Sequence, residues 1–197
     1  MAAFLPEDVS RSEARHRHEP SFLLILSISG GRSRFESVRI FGDEWPPSAA
    51  SSGSAFASRG IQVLGGTDPD LSRVAWALGR NGAERSLAAR WPQLQQCPAG
   101  QLQAMVSELA GHGLVGCLDL PNQLLVIAVD RFSTVPLYIY QDGDQFSVSS
   151  DLRALVGCVG NPGLRPQSLF DYFFFHNIPA PDTVFERITK LEPGTLL

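Results

Sequence analysis

Cysteine is scarce in this chain. Cys97, Cys117 and Cys158 are the only three among 197 residues. No two form a C-x-x-C pair, which excludes a zinc ribbon and a thioredoxin-type redox motif. A sparse, odd count suits a reducing compartment, so the expected location is cytoplasmic, and all three thiols are expected as small buried hydrophobes. Histidine is nearly as rare, with four in the chain. His16 and His18 lack a nearby third ligand, and His112 and His176 stand alone, so no metal site is expected. On a predicted helix beside aromatics, His176 reads as a packed residue. No G-x-S-x-G elbow is present.

Long apolar runs are also missing. None approaches the ~18 residues of a spanning helix, so no membrane partner is expected. The apolar stretch 22–28 is preceded by Glu7, Asp8, Glu13 and Glu19 against Arg11, Arg15 and Arg17. A secretory signal needs a positive start there, so the stretch is not read as one. There is no basic excess either: 16 Lys and Arg face 20 Asp and Glu, for a net charge of −4. With scattered arginines, that balance argues against nucleic acid as a partner.

What is present is enough for one core: 44% of the residues are hydrophobic. Residues 1–20 are polar, mixed in charge and aperiodic, and read as a disordered extension. Residues 21–197 read as one domain. Residues 21–28 and 35–41 predict a hairpin around Gly30-Gly31. Ser29-Gly30-Gly31 is read as that turn and not as a nucleotide loop, because a strand follows it. Residues 45–59, rich in Pro, Ser, Ala and Gly, read as a loop, and 61–64 as a short strand. Thr67 can cap a helix with an apolar face of Leu71, Val74, Ala75 and Leu78. Leu102, Met105, Val106 and Leu109 predict a second helix over 100–110.

The stretch 124–155 organises the rest. Leu124–Val129 is a buried strand by its Val and Ile content. Residues 135–140 and 146–149 are strand candidates joined by Asp142-Gly143, a strong hairpin signal. Asp130-Arg131 falls at the first strand's end, where a local ion pair is the expected role. Pro166 opens a helix whose stripe carries Leu169, Tyr172, Phe173 and His176. Thr195 to Leu197 read as the start of another strand.

These residues carry a resemblance. Asp130, Arg131, Pro136, Leu137 and Tyr138, then Ser150, Asp151, Arg153, Ala154 and Leu155, resemble the R-D-x-x-G-x-x-P-L-Y-Y and A-S-E-x-K-A-L segments of the asparagine synthetase glutaminase half. Ser133 replaces the family's Gly, so a different bend is expected there. Leu109-x-Gly111 followed by Asp119 is similar to L-x-G-x-F-A-F-A-L-x-D. Residues 179–194, from Pro179, Pro181, Thr183 and Phe185 to Ile188, Lys190, Leu191 and Pro193-Gly194, match P-x-P-x-T-x-F-x-x-I-x-K-L-x-P-G. In that family this segment lies at the junction of the two halves. The resemblance is strong over 109–197 and rests on element order alone before that.

The resemblance implies an α+β fold, a four-layer αββα sandwich of the N-terminal-nucleophile hydrolase type. It implies glutamine hydrolysis by a Cys directly after the initiator Met, acting with its own α-amine as base. Here residue 2 is Ala, and the three cysteines lie deep in the chain. The family's R-G-P-D and S-D-T-E have no counterpart. Asn81-Gly82-Ala83-Glu84 is a loose candidate for N-G-E-I-Y-N, read instead as a turn after a helix. Ser21 would open the first strand with a free α-amine only if the chain were cut after Pro20, and an uncut tail is the preferred reading. No catalytic residue is therefore assigned, and substrate-binding residues are unknown.

Two functions follow. One is the amidotransferase-type domain of an ATP-dependent amide-forming ligase whose glutaminase site has been lost. ATP and magnesium are then expected only in the ligase half, which these residues lack. The other is a non-enzymatic module docking on a separate ligase, as in lasso-cyclase-like or β-lactam-synthetase-like systems. Expected partners are that ligase unit or a second copy in a homodimer.

Overall fold

A computed structural model describes residues 22–29, 32–40, 43–45, 55–58, 61–65, 73–79, 83–119, 121–143 and 145–197. In chain order the strands are β1 (Phe22–Ser29), β2 (Arg32–Ile40), β3 (Asp43–Trp45), β4 (Ala55–Ser58), β5 (Ile61–Gly65), β6 (Arg73–Leu78), β7 (Leu114–Asp119), β8 (Leu124–Val129), β9 (Tyr138–Asp142), β10 (Gln145–Ser149) and β11 (Ile188–Lys190). The helices are α1 (Ala83–Gln96), α2 (Ala99–Leu109), α3 (Leu152–Val159) and α4 (Pro166–Phe175), with a 3₁₀ turn at Ala110–His112. Two antiparallel sheets result, ordered β11-β9-β10-β1-β2-β3 and β4-β5-β6-β7-β8. The class is α+β, as expected.

Strand periodicity of two sorts the side chains onto two faces. From the five-stranded sheet, Val74, Trp76, Leu78, Leu114, Leu118, Ile127 and Val129 meet Val148, Ile139 and Phe146 of the six-stranded sheet. The alternate residues Ala75, Ala77, Val115, Cys117, Val126 and Ala128 pack under Leu87 and Leu94 of α1 and Leu102, Val106 and Leu109 of α2. On the six-stranded sheet, Tyr140 and Ile188 pack with Leu155 of α3. Gly116 lets the Trp76 ring cross β7. A Cβ there would lie 2.2 Å from the ring.

Several expectations change. Residues 73–78 are a strand, not the later turns of a helix. Every residue of β6 is buried, and the strand is paired on both sides, by β5 and β7. A short apolar run buried on both faces cannot be told from a helix by periodicity, and sheet pairing decides it. Thr67 and Leu71 lie outside the described residues. The loop expected over 45–59 contains β4 and the last residue of β3. The strand expected from 135 begins only at Tyr138, because Val135 to Leu137 are taken up by the loop after β8. Helix α1 was not anticipated. Its sequence is polar, holds Pro92 inside, and buries Leu87, Leu94 and part of Trp91. The β1–β2 hairpin, the β9–β10 hairpin with Gly143 at φ 55°, and α2 form as expected.

Residues 179–197 tie the two sheets together. β11 adds to the edge of the six-stranded sheet through β9. Farther on, Thr195 and Leu197 hydrogen-bond to Val129 and Ile127 of β8 in the other sheet. The strand read at Thr195 to Leu197 is thus continued pairing on β8, with an antiparallel bridge between Ala128 and Leu196.

Candidate functional site

The motif-bearing residues converge on the loop after β8. Asp130 is buried there. The Phe132 and Thr134 N–H groups donate to its Oδ1 at 2.9 and 3.0 Å, and the Thr134 hydroxyl donates to its Oδ2. The Asp130 carbonyl accepts the N–H of Ser133 at 3.0 Å and of Gly194 at 2.8 Å. Both carboxylate oxygens are therefore engaged in closing the loop. The expected ion pair with Arg131 does not form. The carboxylate turns inward to unpaired loop amides, and the Arg131 side chain stays in solvent, where a guanidinium keeps its hydration.

Ser133 takes φ 48°, the left-handed conformation that glycine adopts freely. The bend is thus open to glycine and is held here by a serine, and it does not follow from the residue change that the backbone turns another way. Pro136 leads to the buried Leu137, whose carbonyl accepts the Leu191 N–H at 2.8 Å. Tyr138 pairs with Lys190 on one side and Ser149 on the other. Burial, and then the negative charge of Asp151, pushes the Tyr138 phenol above its ordinary range.

Asp151 is the N-cap of α3, where its Oδ1 accepts the Arg153 N–H at 2.8 Å. Its own N–H donates to Ser149 Oγ at 3.0 Å. Leu155 is fully buried beneath it. Leu152, Arg153, Val156 and Gly157 line a shallow groove of about 350 Å³ with Phe185.

The segment after α4 is equally tied down. Arg165 pairs with Asp182 and donates to the Glu186 carbonyl at 3.0 Å. The buried Thr183 hydroxyl lies 2.7 Å from the Ile188 carbonyl and accepts the Phe185 N–H at 3.1 Å. The Ala180-Pro181 bond is cis, and the Lys190 N–H donates to the Pro181 carbonyl at 2.8 Å. Arg187 reaches Asp142 Oδ2 at 2.6 Å and the Asn161 carbonyl at 3.1 Å.

A sequence profile of the glutamine amidotransferase domain matches residues 97–197, just over half of the 197-residue chain. The chain belongs to that family. No curated protein matches it. Within this amidotransferase domain, the match takes in α2 to α4, the Asp130 loop and the segment that reaches both sheets.

The thiols of the amidotransferase domain occupy two kinds of place. Cys97 and Cys117 are buried, whereas Cys158 is exposed at the end of α3, against the expectation of a buried residue. In the last turn of its helix Val156 and Val159 pack against the core, which leaves Gly157 and Cys158 on the solvent side. Burial pushes the Cys117 thiol up to about 12, despite the nearby Arg73 guanidinium, so it is uncharged near neutrality. His176 is exposed and caps α4 in a left-handed conformation instead of packing inside. Among the described residues no three His, Cys, Asp or Glu side chains gather as a metal site. Ala2, Ser21 and Asn81-Gly82 lie outside the described residues. Asn81-Gly82 follows a strand in the chain order, since the helix expected before it is β6.

One polar network escaped the sequence reading. Arg73, at the start of β6, donates to Asp119 Oδ2 through Nε at 2.9 Å and Nη2 at 2.6 Å. Its Nη1 donates to the Leu94 carbonyl at 2.6 Å, at the end of α1. Asn122 donates to Asp119 Oδ1 from its backbone and its side chain. Burial alone would raise the Asp119 carboxyl, but the hydrogen bonds from Asn122 and Arg73 outweigh it and hold the group below its usual range. The available signal was a charged residue heading an apolar run, which needs a partner once buried.

No described helix is long and apolar enough to cross a membrane.

Proposed function

We propose that this chain is the amidotransferase-type part of an ATP-dependent amide-forming ligase of the asparagine synthetase kind, with its glutaminase chemistry lost. One observation carries the reading. The two motif segments that resemble that family, D-R-F-x-x-x-P-L-Y and the K-L-x-P-G end of the junction, meet through Gly194 N–H to Asp130 and Leu191 N–H to Leu137. Their spacing in sequence thus has a physical counterpart. The sheets, with α1 and α2 on one and α3 on the other, support assignment to the four-layer αββα sandwich of N-terminal-nucleophile hydrolases.

Loss of hydrolysis follows from the chemistry. Attack on a glutamine side-chain amide needs a nucleophile with a base beside it. Ala2 offers none, Cys97 and Cys117 are enclosed, and the exposed Cys158 lies within the chain, so none of the three thiols has a free α-amine of its own. What the motifs do here is hold backbone in place, so positioning a ligase unit is the remaining role. ATP and magnesium belong to that unit, and the cytoplasm is the setting proposed for both.

Glutamate release from glutamine by the purified chain tests this. The expected rate equals that of the protein-free control. Turnover above ~0.1 per second, modest for an enzyme, overturns it. Intact mass from the native host accompanies the assay: a chain beginning at Ser21 would restore a nucleophile and count against the reading.

A further inference from the structure

Helix α3 has an apolar groove open beside it. Among the described residues, Leu152, Arg153, Val156, Gly157 and Phe185 line about 350 Å³ there. Leu152, Val156 and Phe185 are only partly buried against the core beneath, so the groove has an apolar floor. Gly157 stands inside the helix, where glycine is less favourable than alanine. A Cβ at that position would meet nothing within 4 Å, so packing among the described residues does not require its absence. Its absence keeps the groove open along α3. At the rim, Arg153 is exposed, and its guanidinium makes no hydrogen bond or ion pair among the described residues. The groove thus offers apolar depth with one cation at its edge.

We propose that the chain's own N-terminal extension fills this groove, with Phe4 and Leu5 against Val156, Gly157 and Phe185, and with Glu7 and Asp8 against Arg153. Residues 1–21 lie outside the described residues, and their sequence is the first argument. Within residues 1–20, Phe4-Leu5 is the one adjacent pair of large apolar residues, and Glu7-Asp8 the one adjacent pair of acids. Apolar bulk followed closely by negative charge complements an apolar floor with a cationic rim. Pro6 between the pairs has a fixed φ, so less freedom is lost on seating. Position is the second argument. β1 begins at Phe22, and Leu23 pairs with Ser149, the last residue of β10. Helix α3 starts just beyond, at Leu152. The extension therefore joins the fold close to the groove. Residues 9–20 between the acids and Ser21 reach up to on the order of 40 Å, ample for the return. A tether of that kind holds the segment near its seat at an effective concentration on the order of millimolar. This inference does not rest on the ligase reading, since it concerns the chain's own residues alone.

Chymotryptic cleavage of the whole chain at the Phe4–Leu5 bond, followed by mass, tests it. Cleavage needs the segment unseated, so its rate tracks the unseated fraction. Gly157→Phe plugs the groove and leaves the cleavage site unchanged. The wild type is expected to be cut at least about tenfold more slowly than that variant, as a millimolar effective concentration gives a contact of about 0.1 mM affinity. Cleavage at the exposed aromatics of α4 should be equal in both and reports an unchanged fold. Reversing the acids, Glu7→Arg with Asp8→Arg, should speed cleavage by about two- to fivefold, the range of an exposed ion pair. Adding Arg153→Glu to those two should restore the slow rate, in a chain with the same cleavage site. This charge exchange decides the matter even if Gly157→Phe disturbs the fold. Equal rates in the wild type and Gly157→Phe overturn the proposal, as does a charge exchange that restores nothing. Protection that fades on dilution overturns it too, because the segment would then seat on another copy.

Discussion

Ser133 sits in a conformation that costs a residue with a Cβ roughly 1–2 kcal/mol. Its hydroxyl is buried without a hydrogen-bond partner, a second penalty. Both are removed by glycine, and glycine's own loss of chain entropy offsets only part of the gain. Ser133→Gly should therefore stabilise the fold by about 1 kcal/mol, seen as a rise of roughly 2–4 °C in Tm. Ser133→Ala separates the two effects, since it removes the hydroxyl and keeps the Cβ. A melting temperature lowered by the glycine variant would show that the loop depends on serine itself. At this scale the sequence was partly legible. The motif located Asp130 and singled out Ser133, where a different bend was expected and the backbone takes a conformation open to glycine, but it could not reveal which amides the carboxylate would meet. Those come from Phe132 and Thr134, while the Asp130 backbone carbonyl takes the N–H of Gly194, 64 positions away, a contact that needs the whole fold.

At the scale of elements, β6 shows what pattern reading can and cannot do. Val74, Ala75 and Leu78 fit a helix face, yet Arg73–Leu78 is a strand that contributes Val74, Trp76 and Leu78 to one core and Ala75 and Ala77 to another. A strand buried on both faces has no polar side to betray its period. The Arg73–Asp119 pair ties this strand to β7 and to the end of α1, and it makes an acid-stability prediction. The Asp119 carboxyl titrates lower in the folded chain than in the unfolded one. Its contribution is full above the unfolded value of about 4 and is lost as pH falls through the lower folded value. Denaturant melts should show stability falling over that window, and the double variant Arg73→Met, Asp119→Leu should show a shallower fall. Each single variant should cost about 3–5 kcal/mol, because it leaves one buried charge without its partner. An identical acid slope in the double variant would remove Asp119 from the explanation.

At the scale of the molecule, two sheets share one segment. β11 bonds to β9, Gly194 donates to Asp130, and Thr195 and Leu197 then bond to β8. The three β8 contacts are Val129 N–H to the Thr195 carbonyl at 3.1 Å, Ile127 N–H to the Leu197 carbonyl at 3.0 Å, and Leu197 N–H to the Ile127 carbonyl at 2.8 Å. Leu197 also packs against the inter-sheet core, and Leu196 against the core beneath the helices. Removing Thr195 to Leu197 should cost about 2–4 kcal/mol from the lost hydrogen bonds, and the lost apolar cover adds to it. Amide exchange gives the sharper readout. Alternate amides of a strand point to opposite neighbours, so Ile127 and Val129 face this segment while Val126 and Ala128 face β7. In the shortened chain, Ile127 and Val129 should exchange much faster, and Val126 and Ala128 should slow or quicken only with global stability. Equal loss at all four positions would mean that the segment supports the fold as a whole and does not act as a local strand on β8. Unchanged protection at Ile127 and Val129 would mean that the two sheets are joined without it.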